Sequence, residues 1–349
     1  MEKLDLSNQY FLNKSTILYG ASNTGKSTLT HNILASIAKN IAIPLAIAPS
    51  EESNGVYEGI IPPQLIYKKI NMDLMKMIWD RQESAARIYK NSRNLVAMRG
   101  IYLKVLNKEP TDVQKIYDIL KRHTVSIEAN GALSKEEKMT SKKLMLEKSD
   151  NLAIDVYRVG IIKNYQQFLE YQRVNKTSST ENLIIEYVNF NPNLLIMFDD
   201  ATVLLKAFLT TDLGKEYFFR GRHVYITIII AVHDDACVER DIRKNAHLSV
   251  FTNTQSMGTF FDRTTNNFDK GTKLMAKKIM AQAFGNSKFR KVIYERDTNK
   301  FLFHDLYLRS SPQPVGNKNA WKFCQKIARD VDVRTDNPFD KIFAHVNKK

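Results

Sequence analysis

Eight consecutive residues, Gly20-Ala21-Ser22-Asn23-Thr24-Gly25-Lys26-Ser27, carry the most specific chemistry in the chain. They fit G-x-x-x-x-G-K-[ST], a loop that wraps phosphate oxygens in backbone N–H groups. Gly20 and Gly25 permit the curl that turns successive N–H groups inward. Lys26 supplies a mobile ammonium to the outer phosphates, and the Ser27 hydroxyl is of the type that ligates Mg²⁺. The apolar stretch Ser15 to Tyr19 precedes the loop and reads as a strand, while the residues from Ser27 to Leu34 read as a helix. The start of that helix adds partial positive charge, so the segment through Thr28 reads as a nucleoside-triphosphate site.

A second constellation completes this chemistry. Leu194-Leu195-Ile196-Met197-Phe198-Asp199-Asp200 is an apolar strand ending in two carboxylates. One carboxylate at such a strand end can hold Mg²⁺ through water, and its neighbour can orient and deprotonate an attacking water. The metal role is assigned to Asp199 and the water role to Asp200. An acid beside the metal carboxylate favours hydrolysis over transfer, because a transfer enzyme must keep activated water out. No Asn/Thr-Lys-x-Asp element for reading guanine is present, which points to ATP.

A third segment is Arg220-Gly221-Arg222-His223-Val224-Tyr225-Ile226-Thr227, followed by an apolar strand to Val232 and then His233-Asp234-Asp235. Arginine suits the charge that develops on a transferring phosphoryl group. An arginine at a strand's start lies far from phosphates at the strand's carboxyl end, but it can serve a neighbouring subunit's nucleotide. His233 ends its strand on the phosphate side and can sense the γ-phosphate. Two structural alternatives stay open: a surface ion pair for Arg222 and a carbonyl cap for His233.

The elements that must position these residues follow from hydrophobic runs. Thr16 to Tyr19, Ile41 to Ala48, Leu194 to Phe198 and Val224 to Val232 are near-continuous, as in parallel strands covered on both faces; Leu248 to Thr252 is a fifth run. Helical stretches separate them, as βα units require. Lys291 to Glu295 and Phe301 to Leu308 read as a hairpin at one sheet edge. Between the second and third strands, helical spacing such as Leu74 and Ile78, then Ile116, Ile119 and Leu120, is broken near Pro110, Asn130-Gly131 and residues 175–180. Its Met and Tyr content reads as core. The expected organisation is a core in two halves, 1–95 and 191–309, a helical insertion over 96–190 and a basic tail over 310–349.

The chain of 349 residues is 43% hydrophobic and 26% charged, an ordinary globular composition, and carries a net charge of +15. Between Arg240 and Lys349 stand 22 basic and 10 acidic residues, so the last third holds most of that excess. Such asymmetry fits a nucleic-acid partner or a solvated basic surface. Lys273, Lys277, Lys278, Lys288, Arg290 and Lys291 are the candidate phosphate contacts. No apolar run is long enough to span a membrane, and Met1 to Gln9 lacks a signal-peptide core. Cys237 and Cys324 have no metal-ligand spacing and suit a reducing compartment.

Taken in order, these motifs resemble a known family. Besides the loop, they include Ala48-Pro49-Ser50, Gly55-Val56-Tyr57-Glu58-Gly59-Ile60-Ile61-Pro62 and Arg81-Gln82. The Asp-Asp strand, the Arg-Gly-Arg-His segment and Asp241-Ile242-Arg243-Lys244-Asn245 follow. The sequence is similar to the DNA-packaging ATPases of large nucleocytoplasmic DNA viruses, within the FtsK–HerA superfamily. The likeness covers about residues 10 to 95 and 190 to 255. It implies a three-layer α/β P-loop core of RecA/ASCE type, with the strand ending at His233 lying between the loop strand and the Asp-Asp strand. It also implies ATP hydrolysis with Mg²⁺, coupled to movement of double-stranded DNA into a preformed capsid. The implied partners are a homo-oligomeric ring, a pentamer or hexamer, and capsid or inner-membrane portal proteins. The implied location is the viral factory in the host cytoplasm, and the virion. In the ring an arginine of one subunit completes the neighbour's site; Arg222 matches it best and Arg220 second. Relatives carry Gln where His233 stands, and protonation of an imidazole there would make activity pH-dependent.

Two other classes share the phosphate loop. A phosphotransferase such as a nucleotide or polynucleotide kinase would depend on a phosphate acceptor. A nucleotide-gated interaction module would present the helical insertion to a partner.

Overall fold

The computed structural model describes residues 2–6, 10–164, 191–287, 289–305 and 310–330. The break at residues 175–180, Lys288, the end of the Phe301–Leu308 run and the tail beyond residue 330 lie outside the described residues. Contacts divide the chain into two compact units. Of the described residues, one holds those up to Glu83 and those from Asn191 to Asp330; the other begins at Ser84.

In the first unit the apolar runs become the centre of one sheet. In chain order the described strands are β1 (Glu2–Lys3), β2 (Ser15–Tyr19), β3 (Ile43–Ile47), β4 (Ile66–Tyr67), β5 (Leu194–Asp199), β6 (Ile226–Val232), β7 (Leu248–Phe251), β8 (Arg290–Glu295) and β9 (Lys300–Asp305). They lie in the order β1-β9-β8-β7-β2-β6-β5-β3-β4. All pairings are parallel except β7 with β8 and β8 with β9. Every residue of β2, β3, β6 and β7 is buried, as expected of strands with helices on both faces. The result is a three-layer α/β fold with a mostly parallel sheet, and β6 lies between the loop strand β2 and the Asp-Asp strand β5.

The hairpin differs from expectation in one respect. Strands β8 and β9 pair antiparallel, but β9 is not the edge, because Glu2 and Lys3 pair in parallel with Leu302 and Phe303. Two polar residues joining by backbone bonds alone leave no hydrophobic pattern to read. The loop from Ser310 is pinned to the core: Val315 N–H donates to Ile60 O (2.8 Å) and Asn317 N–H to Ala42 O (2.8 Å). Helix Lys318–Asp330 follows it.

The second unit is helical, with Leu95–Leu106, Thr111–Ala129 and Lys135–Lys163 as its main segments. Asn94 caps the first by accepting from Ala97 N–H (2.9 Å), and Ser134 with Glu137 forms a reciprocal capping box at the third. Tyr102 and Tyr157 pack with ring centroids 5.3 Å apart, so these tyrosines do belong to a core.

The segment after β6 is fixed by a buried ionic cluster. Asp235, almost fully buried, accepts from Arg263 Nε (2.6 Å) and Nη2 (2.8 Å). Arg243, also buried, donates to Asn266 Oδ1 (2.9 Å), to Asp235 O (2.9 Å) and to Val238 O. The Asp241–Asn245 motif thereby holds the chain just downstream of His233. Removing Arg243 leaves the Asp235 and Val238 carbonyls and Asn266 Oδ1 without their donor, while the Asp235 carboxylate keeps Arg263. Arg243→Met is expected to lower unfolding free energy by about 3 kcal/mol, the cost of leaving buried acceptors without a donor. Denaturant unfolding monitored by circular dichroism checks this, and an unchanged midpoint would refute the clamp.

Candidate functional site

Strand register brings the chemistry to one end of the sheet. Tyr19 pairs with Val232 and Asp199 with Ala231. Gly20, His233 and Asp200 therefore leave adjacent parallel strands at a common level. Helix Lys26–Ile37 follows the loop.

Sterics shape the loop itself. Asn23 (φ 62°) and Gly25 (φ 88°) are left-handed, the alternation that turns N–H groups to one side. Gly20 has no room for a side chain, since a Cβ there would lie 1.7 Å from Thr252 Oγ1. Thr252 sits at the end of β7, with its hydroxyl 2.6 Å from Thr24 Oγ1, and Thr24 donates on to Ala21 O (2.7 Å). Sequence reading gave Thr252 no role; its signal was its place at the end of the fifth apolar run.

A cavity of about 480 Å³ opens above this edge, lined among others by Ser22, Lys26, Ser27, Asp199, Asp200 and His233. Ala21, Asn23, Gly25 and Thr28 also line it. Lys26 Nζ donates to Gly20 O, to Ala21 O (3.1 Å) and to His233 Nδ1 (3.3 Å). His233 Nε2 lies 3.0 Å from Asp200 Oδ1. An ammonium can only donate, so Nδ1 accepts and Nε2 carries the proton given to Asp200. His233 thus links the loop lysine to the second carboxylate. Asp200 itself is held left-handed (φ 50°) and half-exposed.

The other carboxylate is gripped from below. The buried Tyr57 hydroxyl donates to Asp199 Oδ2 (2.7 Å). Glu51 in turn accepts from the N–H groups of Val56 (3.0 Å) and Tyr57 (2.7 Å), fixing the turn that carries Tyr57. Neither residue had an assigned role at the sequence level, although Tyr57 lies in the Gly55–Pro62 motif.

Burial pushes the Asp199 carboxyl above the usual range, with Asp200 adding to the rise, while the Tyr57 bond and Lys26 oppose it. Burial likewise lowers Lys26, against the pull of both aspartates. Both shifts disfavour charge and would reverse on binding a cation beside the carboxylates and an anion beside the lysine. Among the described residues no group of three or more His, Cys, Asp or Glu could hold a metal. A cation here would need Ser27 and Asp199 together with water and ligand oxygens, the pattern that suits Mg²⁺. The residues present fit that ion.

The arginines lie elsewhere. Arg222 is exposed before the amino end of β6, where its Nη1 donates to His247 Nε2 (3.0 Å). His247 Nδ1 is 2.7 Å from Ser15 Oγ at the start of β2. Burial, reinforced by the Arg222 charge, lowers the His247 pKa and keeps it able to accept. Arg220 pairs with Glu216 (2.6 Å) and Glu83 (3.8 Å). Neither arginine lines the cavity.

Two basic residues expected to face DNA do not. Lys291 is buried and donates to Thr252 O (3.2 Å), and Arg290 forms a two-point pair with Asp305 (2.8 and 3.3 Å). Both stand on β8, which buries every residue from Lys291 to Tyr294. Lys277 and Lys278 are exposed, Lys277 near Asp262 (3.5 Å), and Lys273 is half-buried.

No family model matches the chain. Over 97% of its length it is 28% identical to "Uncharacterized protein B354L" of African swine fever virus (isolate Pig/Kenya/KEN-50/1950), of which the match covers 94%. A shorter match, 35% identical over 69 residues, covers 20% of the chain and 21% of "Uncharacterized protein 015R" of Frog virus 3. Among solved structures, the genome packaging NTPase B204 of Sulfolobus turreted icosahedral virus 2, in complex with ATP-gammaS, aligns at 11% identity and TM-score 0.37, over 84% of this chain and 97% of that one. EssC (ATPases 2 and 3) of Geobacillus thermodenitrificans aligns at 12% identity and TM-score 0.35, over 97% of this chain and 46% of that one.

Tyr57 supplies a direct test of the carboxylate geometry. A donor to the charged form favours that form, so Tyr57→Phe is expected to move the Asp199 pKa further upward. Carbon NMR titration of the labelled carboxyl reads it; no movement would mean that Tyr57 does not restrain Asp199.

Proposed function

We propose that the protein is a Mg²⁺-dependent ATPase that moves double-stranded viral DNA into a preformed capsid, working as a homo-oligomeric ring. One observation carries the hydrolytic part: loop, Asp199, Asp200 and His233 line a single cavity at the carboxyl ends of adjacent parallel strands. The motor part rests on the order of sequence motifs and on the basic last third. The similarity to a protein of African swine fever virus fits a virus-encoded chain acting in an infected cell, within the viral factory or virion.

The residues divide the work as follows. Backbone N–H groups of residues 20–28 bind the phosphate chain, and Lys26 leaves its carbonyl partners for phosphate oxygens. Mg²⁺, where bound by Ser27 and Asp199, supplies charge neutralisation. Tyr57 keeps Asp199 aimed into the cavity. Asp200 takes a proton from the attacking water, and the His233 N–H orients Asp200 and ties its position to Lys26. Arg222, remote from its own cavity, is assigned to the neighbour's site, with Arg220 as second choice. Capsid or portal proteins would dock the ring.

The deciding experiment measures ATP turnover with and without long double-stranded DNA, alongside sizing. DNA should raise the rate of an assembled ring, whereas an acceptor-dependent monomer would favour a kinase and slow, DNA-indifferent turnover a switch. Lys26→Ala should abolish turnover. Asp200→Asn should retain ATP binding and slow hydrolysis by about 100-fold or more; near-normal turnover would remove Asp200 from the base role.

Mixing experiments address the in-trans arginine. Arg222→Ala is expected to lower turnover by about 1,000-fold. Titrated into wild type, it should depress activity more than dilution does. Rates that simply add would exclude a shared site.

A further inference from the structure

A second cavity adjoins the phosphate loop from the other side. It measures about 660 Å³ and is lined by Asn23, Thr24, Gly25 and Thr28 of the loop, by Thr252, Asn253 and Thr254 after β7, and by Phe284, Phe289 and Lys291. Asn23, Gly25 and Thr28 line both cavities, so the two meet across the loop. The carboxylates stand on the β6–β5 side of β2, and this second cavity stands on its β7–β8 side. A triphosphate lying along the loop with its terminal phosphate at Asp200 must therefore send its nucleoside end toward β7.

The walls there suit a flat aromatic ring. Phe289, between helix Lys270–Asn286 and β8, leaves 44% of its surface exposed, although it borders a cavity beside a polyanion loop. Phe284, near the end of that helix, is half-buried. Three of the polar side chains already hold backbone partners: Asn253 Oδ1 accepts from Ser256 N–H (2.8 Å), Lys291 Nζ donates to Thr252 O (3.2 Å), and Thr252 Oγ1 lies 3.1 Å from Tyr19 O. Stacking is what the two phenylalanines offer, and no carboxylate stands among the lining residues to select guanine by its N–H donors.

We infer that this cavity seats the purine base of the nucleotide, held by stacking on Phe289 over the Phe284 wall, with loose selection between adenine and guanine. This rests on the triphosphate reading of the loop and extends it to the base, for which the sequence offered no adenine reader. Stacking is sequence-tolerant because every base presents a π face, and a purine presents the larger one.

Equilibrium binding of fluorescently labelled, non-hydrolysable ATP and GTP analogues tests this, with inorganic tripolyphosphate as competitor. Wild type is expected to bind the two purine analogues with Kd values within about tenfold, because neither edge is read. Phe289→Ala should weaken both about tenfold and leave tripolyphosphate affinity unchanged, while Phe289→Trp restores purine binding. Phe284→Ala should act in the same direction. If wild type binds tripolyphosphate and ATP but Phe289→Ala binds ATP unchanged, the base seat is wrong and the loop reading stands. If wild type binds neither, the loop reading fails and the seat with it. A preference for one purine above about 100-fold would overturn the loose selection.

Discussion

The parallel register of β2, β6 and β5 is the constraint on which the site depends. Asp199 opposite Ala231, and Tyr19 opposite Val232, place three strand ends at one level. Both faces of these strands are apolar and buried, so a one-residue slip would exchange the side chains packed on the two faces and disrupt both layers. The core thus fixes the position of Gly20, Asp200 and His233 without any of them contributing to its packing. Thr252 adds the fourth point from β7, filling the space that only a glycine at position 20 leaves open.

Electrostatics follow from that convergence. Two aspartates and one lysine meet at a partly buried edge, and burial works against the charges of Asp199 and Lys26. Lys26 turns its ammonium to loop carbonyls and His233, while Tyr57 and His233 each occupy one carboxylate oxygen. The Tyr57 hydroxyl and the His233 N–H each satisfy one oxygen of an acid. A cation and a polyanion together would relieve both signs at once, which neither could do alone.

Much of this was legible because it is local in sequence. The phosphate loop is eight contiguous residues, and the Asp-Asp pair ends a run whose uniform apolarity marks a doubly covered strand. The order of strands, with β6 between β2 and β5, came from motif resemblance, since periodicity says nothing about which strands are neighbours. What escaped is long-range. Tyr57 reaches Asp199 across 142 positions and Thr252 reaches Thr24 across 228, so no spacing rule finds them. Charge counting also failed for Arg290 and Lys291, because β8 is covered on both faces and buries Lys291 to Tyr294 in succession whatever their charge, so these basic groups take partners inside the protein, here Asp305 and Thr252 O. The two-residue β1 carries too little pattern to be seen at all.

The opposite end of the sheet raises a question of symmetry. Arg222 belongs to a small polar cluster at the amino ends of β2, β6 and β7, with His247 and Ser15. Its own cavity lies at the carboxyl ends of those same strands, so one copy cannot bring the two together. Under the proposed ring, an arginine at one end of the sheet meets a cavity at the other only if different patches of two copies face each other. Such head-to-tail contacts are heterologous, and a heterologous contact closes only when its rotation divides a full turn. Arg222 as a trans residue therefore requires a heterologous contact, and a ring requires in addition that this contact close. The His247 contact is a suitable resting place for the side chain, because the imidazole is kept neutral by burial and by Arg222 itself and releases the guanidinium without leaving a buried charge behind.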